Sequence, residues 1–366
     1  MTPLQLRRTV IAGGLLVSAL YFGAVRAAQP EREFRETLYV FGTLVELVLY
    51  GEDAAEAQAL TAEAGRALQQ MHRDWHAWQP GALEELNAAL ASGETMKVAP
   101  RLAALLREGQ SLACLSGGRF EPGIGALIEL WGFHQDTPPE GAPPSEAEIA
   151  ALRAAHPSIL NLRFDGDRIS ATDRSVQLDL GGFAKGAALD EIGVRFVSQG
   201  YDNAVLNAGG DVNVIGAHGG RPWRVAIRDP FVWGAMGSVD LQPGEVLYTS
   251  GNYERYFEHD GQRFAHILDP RTGYPVSEIV SVSVLDTSGT RADAAATALA
   301  VAGRADWPQV AADMGVSAVL MIAGDGSLSA TPEMLARLNP VGGAFPSAPQ
   351  PVPLPVAAPD PACAAL

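Results

Sequence analysis

The sequence is short of cysteine, of charge and of basic residues, and each shortage removes a class of function. Only two cysteines, Cys114 and Cys363, occur in 366 residues. No CxxC and no Cys/His ligand spacing is present, so nothing supports a zinc or zinc-ribbon site. The two cysteines show no disulfide-framework spacing. The expectation is one buried thiol in an apolar helix and one incidental thiol in a tail. Charged residues make up 19% of the chain, and 42 acidic side chains against 26 basic ones leave a formal charge of −16. Nucleic acid and anionic lipid are bound through dense Lys/Arg footprints, which such a surface lacks. A phosphate ligand is not excluded, because a local cation, backbone N–H groups or a metal suffices to hold one. Neither GxGxxG nor Walker A spacing occurs, so Rossmann and P-loop binding do not follow. No solenoid-scale repeat is found.

What is present is apolar: 47% of residues are hydrophobic, enough to bury a sizeable core. Arg7 and Arg8 precede an apolar run from Val10 to Ala24, and Val25-Arg26-Ala27-Ala28 offers small residues for cleavage. This pattern predicts a signal peptide over residues 1–28, read by the Sec route or, through the paired arginines, by the twin-arginine route. The run is short for a membrane span. The expected location is therefore periplasmic, with membrane association only if the signal is retained. From Asn339 to Leu366 the composition turns to Pro, Ala and Val, and this tail is expected to be disordered. The working body is placed at residues 33–338 as one unit.

Periodicity predicts helices over Asp53–Trp75, Pro100–Leu115, Ala184–Ser198 and Arg291–Ala302. Strands are expected over Thr37–Tyr50, Ser175–Leu180, Trp223–Ile227 and Val280–Asp286. Strand–turn–strand patterns occur around Gly209-Gly210, Asp260-Gly261 and Asp325-Gly326. Hairpins outnumber βαβ units, so the fold class is α+β, with mixed, mainly antiparallel sheets packed with helices.

Several segments carry groups suited to chemistry. Asp179-Leu180-Gly181-Gly182-Phe183-Ala184-Lys185-Gly186 joins an extended segment to a helix. Paired glycines admit close backbone approach, and a helix start offers free N–H donors to phosphate. Lys185 could meet a phosphate there, and Asp179 a polar ring edge or a ribose hydroxyl. Alternatively, the segment is an ordinary tight turn. In Thr290-Arg291-Ala292-Asp293-Ala294-Ala295-Ala296-Thr297, Asp293 and Thr297 lie four apart and share a helix face. A carboxylate with a hydroxyl is hard oxygen ligation, suited to Mg²⁺ rather than zinc. Thr290 as helix cap with Asp293 in the first turn is the competing, structural account. The longest segment, Thr249–Pro275, concentrates polar and aromatic residues around tight turns, and His266 there can move protons near neutral pH. Phe120-Glu121-Pro122-Gly123 leads to Trp131 and Phe133, where an aromatic could stack on a flat heterocycle or simply fill the core. Asn207-Ala208-Gly209-Gly210-Asp211 is a further close-approach turn.

Taken in order, Phe41-Gly42-Thr43, Phe120–Phe133, Asp179–Gly186, Asn207–Asp211, Thr249–Pro275 and Ala292–Thr297 resemble the ApbE family, the FAD:protein FMN transferases. The resemblance covers nearly the whole chain between signal and tail. It implies a T-fold-like single domain and transfer of FMN from FAD, with Mg²⁺ as cofactor, onto a Thr or Ser hydroxyl of an exported acceptor protein, with AMP released. It also implies that the acceptor is a periplasmic respiratory electron carrier, with those linked to nitrous oxide reduction (a NosX-like branch) among the candidates. Carried over residue by residue, the metal site falls on Gly182 (through its carbonyl), Asp293 and Thr297. Flavin contacts fall on Phe41, Trp78, Phe120, Glu121, Asp179, Lys185 and Ile267, and the catalytic base on His266. Three positions depart from the family pattern: Phe41 stands for Met, Glu121 for Asp and Asn252 for Asp. The competing readings are an FAD pyrophosphatase, with water as acceptor, and a non-catalytic flavin-binding carrier.

Overall fold

The computed structural model describes residues 33–366 apart from 52, 136 and 138. The expected signal segment, 1–28, lies outside the described residues. The chain opens with a hairpin, β1 (Glu33–Val40) and β2 (Thr43–Tyr50), where a single strand over Thr37–Tyr50 was expected. Phe41 and Gly42 have φ of 55° and 69°, the two-residue turn that matches the twist of the paired strands. A Phe is unusual at positive φ, so the alternating pattern conceals the turn.

Helices α1 (Ala54–Trp75) and α2 (Ala82–Ser92), strand β3 (Met96–Lys97), then α3 (Pro100–Leu115), α4 (Gly125–Leu130) and α5 (Glu146–Ala154) lead to the hairpin β4 (Leu162–Asp165) and β5 (Arg168–Ala171). Ser175–Leu180, expected as a strand, is extended but pairs only through a single parallel bridge between Gln177 and Ile124. Its donors are taken elsewhere: Leu178 N–H by Asn87 Oδ1 at 2.8 Å, and Asp179 N–H by the Pro122 carbonyl at 2.8 Å. Helix α6 (Ala184–Ser198) follows, then β6 (Ala204–Ala208), β7 (Asp211–Ile215), β8 (Trp223–Arg228), β9 (Ala235–Leu241) and β10 (Val246–Gly251). The remaining elements are the hairpin β11 (Tyr256–His259) and β12 (Gln262–Ala265), β13 (Ile279–Asp286), α7 (Gly289–Asp313), β14 (Ala318–Ala323), β15 (Leu328–Ala330), α8 (Pro332–Leu335), β16 (Leu338–Pro340) and β17 (Gln350–Pro351).

The centre is a nine-stranded sheet in the order β1-β2-β6-β7-β10-β13-β14-β15-β17, antiparallel except for its last pair. Both faces are covered, which is why β14 reads Ala-Val-Leu-Met-Ile-Ala without a polar residue. Val319, Met321 and Ala323 face the helices, while Ala318, Leu320 and Ile322 face a second sheet, β16-β9-β8. On the helical face, α7 presents Ala292, Ala295, Ala296 and Leu299 to the core. These small side chains bring its backbone, and the site residues it carries, close to the sheet. A third apolar cluster, with Trp131, Phe133, Phe257 and Phe264, seats the β11–β12 hairpin against α4.

The tail departs from its expected disorder. Val352 and Leu354, set between prolines, pack against the main core. The strand β17 pairs with β15, and Val352 N–H donates to the Ala330 carbonyl at 2.8 Å. Proline lacks a ladder donor and is tolerated only on such an edge, so a Pro-rich composition suits an edge strap as well as a disordered tail. Cys363 is buried and bonded to Cys114 on α3 across 249 residues of sequence. The two thiols are therefore neither free nor incidental. The chain-entropy contribution of so long a loop is bounded at about 5 kcal/mol. Cys114→Ala/Cys363→Ala is expected to lower the melting temperature. Dithiothreitol should lower that of the parent but not that of the variant; equal responses of the two would refute a stabilising bridge.

Candidate active site

The site grows from the facing N-termini of two helices that cap one another. Helix α6 starts at Phe183 with no side-chain cap of its own. Its Gly186 N–H instead donates to Asp293 Oδ2 of α7 at 3.0 Å. In return, Asp190 of α6 accepts from Gly289 N–H at 2.8 Å, Thr290 N–H at 2.9 Å and the Thr290 hydroxyl at 3.0 Å. The N-cap of α7 is Ser288, whose hydroxyl accepts from Arg291 N–H at 3.2 Å. Thr290 is therefore not the cap, and Asp293 serves the other helix rather than its own. The helices meet so closely that a Cβ on Gly186 would lie 2.2 Å from the Gly289 carbonyl oxygen. Gly186→Ala is expected to cost about 1–3 kcal/mol by overpacking, read as a lower melting temperature. An unchanged value would show that the interface yields.

Around this contact the expected phosphate-side residues converge. Lys185 Nζ lies 2.5 Å from Asp211 Oδ2 and 3.3 Å from Asp293 Oδ1. Burial opposes the Lys185 charge, but Asp211 and Asp293 outweigh it and its pKa is raised. Burial pushes the Asp293 carboxyl above the usual carboxylate range, with Lys185 opposing and Asp211 adding to the rise. One turn along α7, Thr297 Oγ1 is 3.2 Å from Ser250 Oγ. Gly182 lies opposite, where a Cβ would stand 3.8 Å from Thr297 Oγ1. Among the described residues no three His, Cys, Asp or Glu side chains are grouped to hold a metal. The expected donors would instead be one carboxylate, one hydroxyl and one carbonyl. That set fits Mg²⁺, which commonly takes one or two carboxylates and completes its shell with water and substrate phosphate.

The other expected residues divide. Trp78 Nε1–H donates to Asp179 Oδ2 at 2.8 Å, and Gly181 N–H to Asp179 Oδ1 at 2.8 Å, which ties the Trp78 ring to the turn before α6. Phe120 is buried edge-on to Phe183, with ring centroids 5.2 Å apart, under Gly182. Ile267 is buried in the main core. Glu121 accepts from Gly123 N–H at 2.8 Å, Ile159 N–H at 2.6 Å and Ser158 Oγ at 2.6 Å, so its carboxylate joins two loops. Phe41 stands apart at its hairpin turn. It meets the rest through a line of rings, Phe41 to His72 at 5.5 Å and His72 to His76 at 5.1 Å. Trp78 N–H in turn donates to His76 Nδ1 at 3.1 Å.

His266 follows the last strand of the β11–β12 hairpin, half-buried beside Phe133 at 6.3 Å. The Arg255 carbonyl accepts from His266 N–H at 3.0 Å and lies 3.1 Å from Nδ1. A carbonyl only accepts, so Nδ1 carries the proton and Nε2 is the free base. Burial lowers the His266 pKa to about 4, aided by the Arg255 and Lys185 charges. Arg255 is itself pinned by the Phe133 carbonyl at 3.0 Å. Asp269 shapes the following turn, accepting from Arg271 N–H and Nε–H, both at 2.9 Å.

Comparison with known proteins places this chain. A family model described as the ApbE family matches residues 41–320. The chain belongs to the ApbE family. An FAD:protein FMN transferase of Rhodobacter capsulatus is 54% identical over 344 residues, 93% of this chain. The chain spans 66% of the length of that relative. An FAD:protein FMN transferase of Vibrio cholerae is 34% identical over 68% of this chain and 75% of its own. An ApbE protein structure from Thermotoga maritima superposes with a TM-score of 0.77 and 30% identity, covering 84% of this chain and 99% of that one. The flavin transferase ApbE from Vibrio cholerae gives 0.75 and 28%, covering 84% and 100%. The ApbE fold is thus the α+β, mainly antiparallel architecture expected from the hairpin-rich sequence.

Sequence reasoning placed Asp211 only within the close-approach turn Asn207–Asp211, with no role of its own, and gave no place to Asp190. Asp211 had a signal, since it closes the Gly209-Gly210 turn. Asp190 had none, being one acidic residue within an ordinary helical stretch.

Proposed function

We propose that this ApbE-family chain is an FAD:protein FMN transferase that esterifies a Thr or Ser hydroxyl of an exported protein and releases AMP. The observation that carries this reading is the convergence of Lys185, Asp293, Thr297 and Gly182 at two helix N-termini, in a chain whose relatives bear that activity's name. The acceptor hydroxyl attacks the phosphorus of the FMN half of FAD. The new P–O bond forms as the phosphoanhydride bond breaks and AMP leaves with the bridging oxygen. His266 Nε2 takes the hydroxyl proton. Lys185 sets positive charge against the phosphates, and the α6 N-terminus favours anions. Asp293, Thr297 and the Gly182 carbonyl would hold Mg²⁺, which supplies charge neutralisation for phosphoryl transfer when bound. Trp78, Phe120, Glu121, Asp179 and Ile267 form the flavin side: Trp78 and Asp179 by contact, and the buried Phe120, Ile267 and loop-tying Glu121 by shaping, while Phe41 joins it only through the rings of His72 and His76.

Export to the periplasm is supported by the basic-then-apolar pattern of residues 1–28 and by the Cys114–Cys363 bridge, since disulfides persist in oxidising compartments.

The test is incubation with FAD, Mg²⁺ and candidate exported acceptors, read by in-gel flavin fluorescence with AMP measured in parallel. Acceptor-linked flavin with matching AMP is expected. Free FMN at the same rate with and without acceptor would make the enzyme a pyrophosphatase, and no EDTA-sensitive product would make the chain a carrier.

A further inference from the structure

We propose that Asp211 is a positioning residue for the metal site: it holds the Lys185 ammonium off Asp293, so that Asp293 stays open to a divalent cation. This rests on the reading of Asp293 and Thr297 as metal donors. The ammonium is not shared evenly, lying 2.5 Å from Asp211 Oδ2 and 3.3 Å from Asp293 Oδ1. Asp211 is anchored where it stands, because its Oδ1 accepts from the Thr249 N–H of β10 at 3.0 Å. Asp293 is anchored likewise through Gly186 N–H at 3.0 Å. Lys185, with the flexible side chain, is the member free to shift between them.

In the ionised form that a cation binds, two carboxylates and one ammonium leave one net negative charge, and Asp211 and Asp293 are only 5% and 4% exposed. A buried, uncompensated charge draws a cation strongly, because little solvent screens it. Without the Asp211 charge the cluster is neutral, and Lys185 has Asp293 as its remaining partner. An incoming cation must then displace an ammonium. Without the Lys185 charge, two carboxylates stand unopposed and attraction for a cation rises. Without both, one net negative charge returns.

The experiment is Mn²⁺ binding to the full chain without FAD, followed by loss of the free Mn²⁺ electron paramagnetic resonance signal, with thermal unfolding of each variant. Asp211→Asn keeps an oxygen for Thr249 N–H and is expected to weaken Mn²⁺ binding about tenfold or more. Lys185→Met should tighten it. The Asp211→Asn/Lys185→Met double variant should bind about as well as the parent, because its charge is the same. A merely structural Asp211 would leave the double variant as weak as the single one, and that result overturns the inference. So does parent-like binding by Asp211→Asn. Asp293→Ala separates the two layers. If it leaves Mn²⁺ binding unchanged, the metal assignment itself fails and the inference with it. If it abolishes binding while Asp211→Asn does not weaken it, only the role of Asp211 is lost.

Discussion

Replacing His266 by alanine is expected to slow flavin transfer by about 10²–10⁴-fold, the usual contribution of a positioned general base, while FAD binding persists. The ring nitrogen that would take the proton is singled out by the fold: the Arg255 carbonyl occupies Nδ1 at 3.1 Å and leaves Nε2 unprotonated. The pH dependence carries a distinct signature. A base works in its deprotonated form, and the His266 pKa lies at about 4. At saturating Mg²⁺, which would keep Asp293 ionised, the rate should therefore hold steady as pH falls through the range where an ordinary histidine protonates, then decline near pH 4. Transfer by His266→Ala at the parent rate would rule the residue out as base. A parent acid limb near pH 6.5, the ordinary histidine value, that does not move as Mg²⁺ is raised would show that the ring is not held neutral in the working enzyme.

The second large effect is expected at Asp293. Asp293→Asn keeps the oxygen that accepts from Gly186 N–H at 3.0 Å, so the contact between α6 and α7 survives. What it removes is the only carboxylate in the proposed donor set. Metal-assisted charge stabilisation is worth several kcal/mol, so kcat is expected to fall about 10³-fold and the response to Mg²⁺ to flatten. A variant with the parent's rate and Mg²⁺ dependence would remove Asp293 from the chemistry. The melting temperature should change little, which separates this outcome from unfolding.

These expectations rest on how the two helices are held. Asp190 reaches from α6 to the first turn of α7, and Asp293 reaches back. A helix start normally meets its donors with a local Ser, Thr, Asp or Asn. Here part of that duty is exchanged across the interface, so the geometry of the site and the packing of the helices are one feature. Gly186 sits at the point of contact, and its lack of a Cβ is what the approach requires.

Much of this was legible in the sequence. Helices over Pro100–Leu115 and Ala184–Ser198, and the turns at Gly209-Gly210, Asp260-Gly261 and Asp325-Gly326, follow from local periodicity and turn chemistry, which a chain carries whatever it packs against. The same local order places Asp293 and Thr297 on one helix face. The residues that complete the site follow from no local rule. Lys185 meets Asp211 across 26 residues and Asp293 across 108, and Cys114 meets Cys363 across 249. Strand order in the sheet decides which of these surfaces touch, and burial then decides what each charge is worth. Composition could show that the tail is rich in proline, but only the exposed edge of β15 and the apolar core beneath Val352 and Leu354 make that tail a strap.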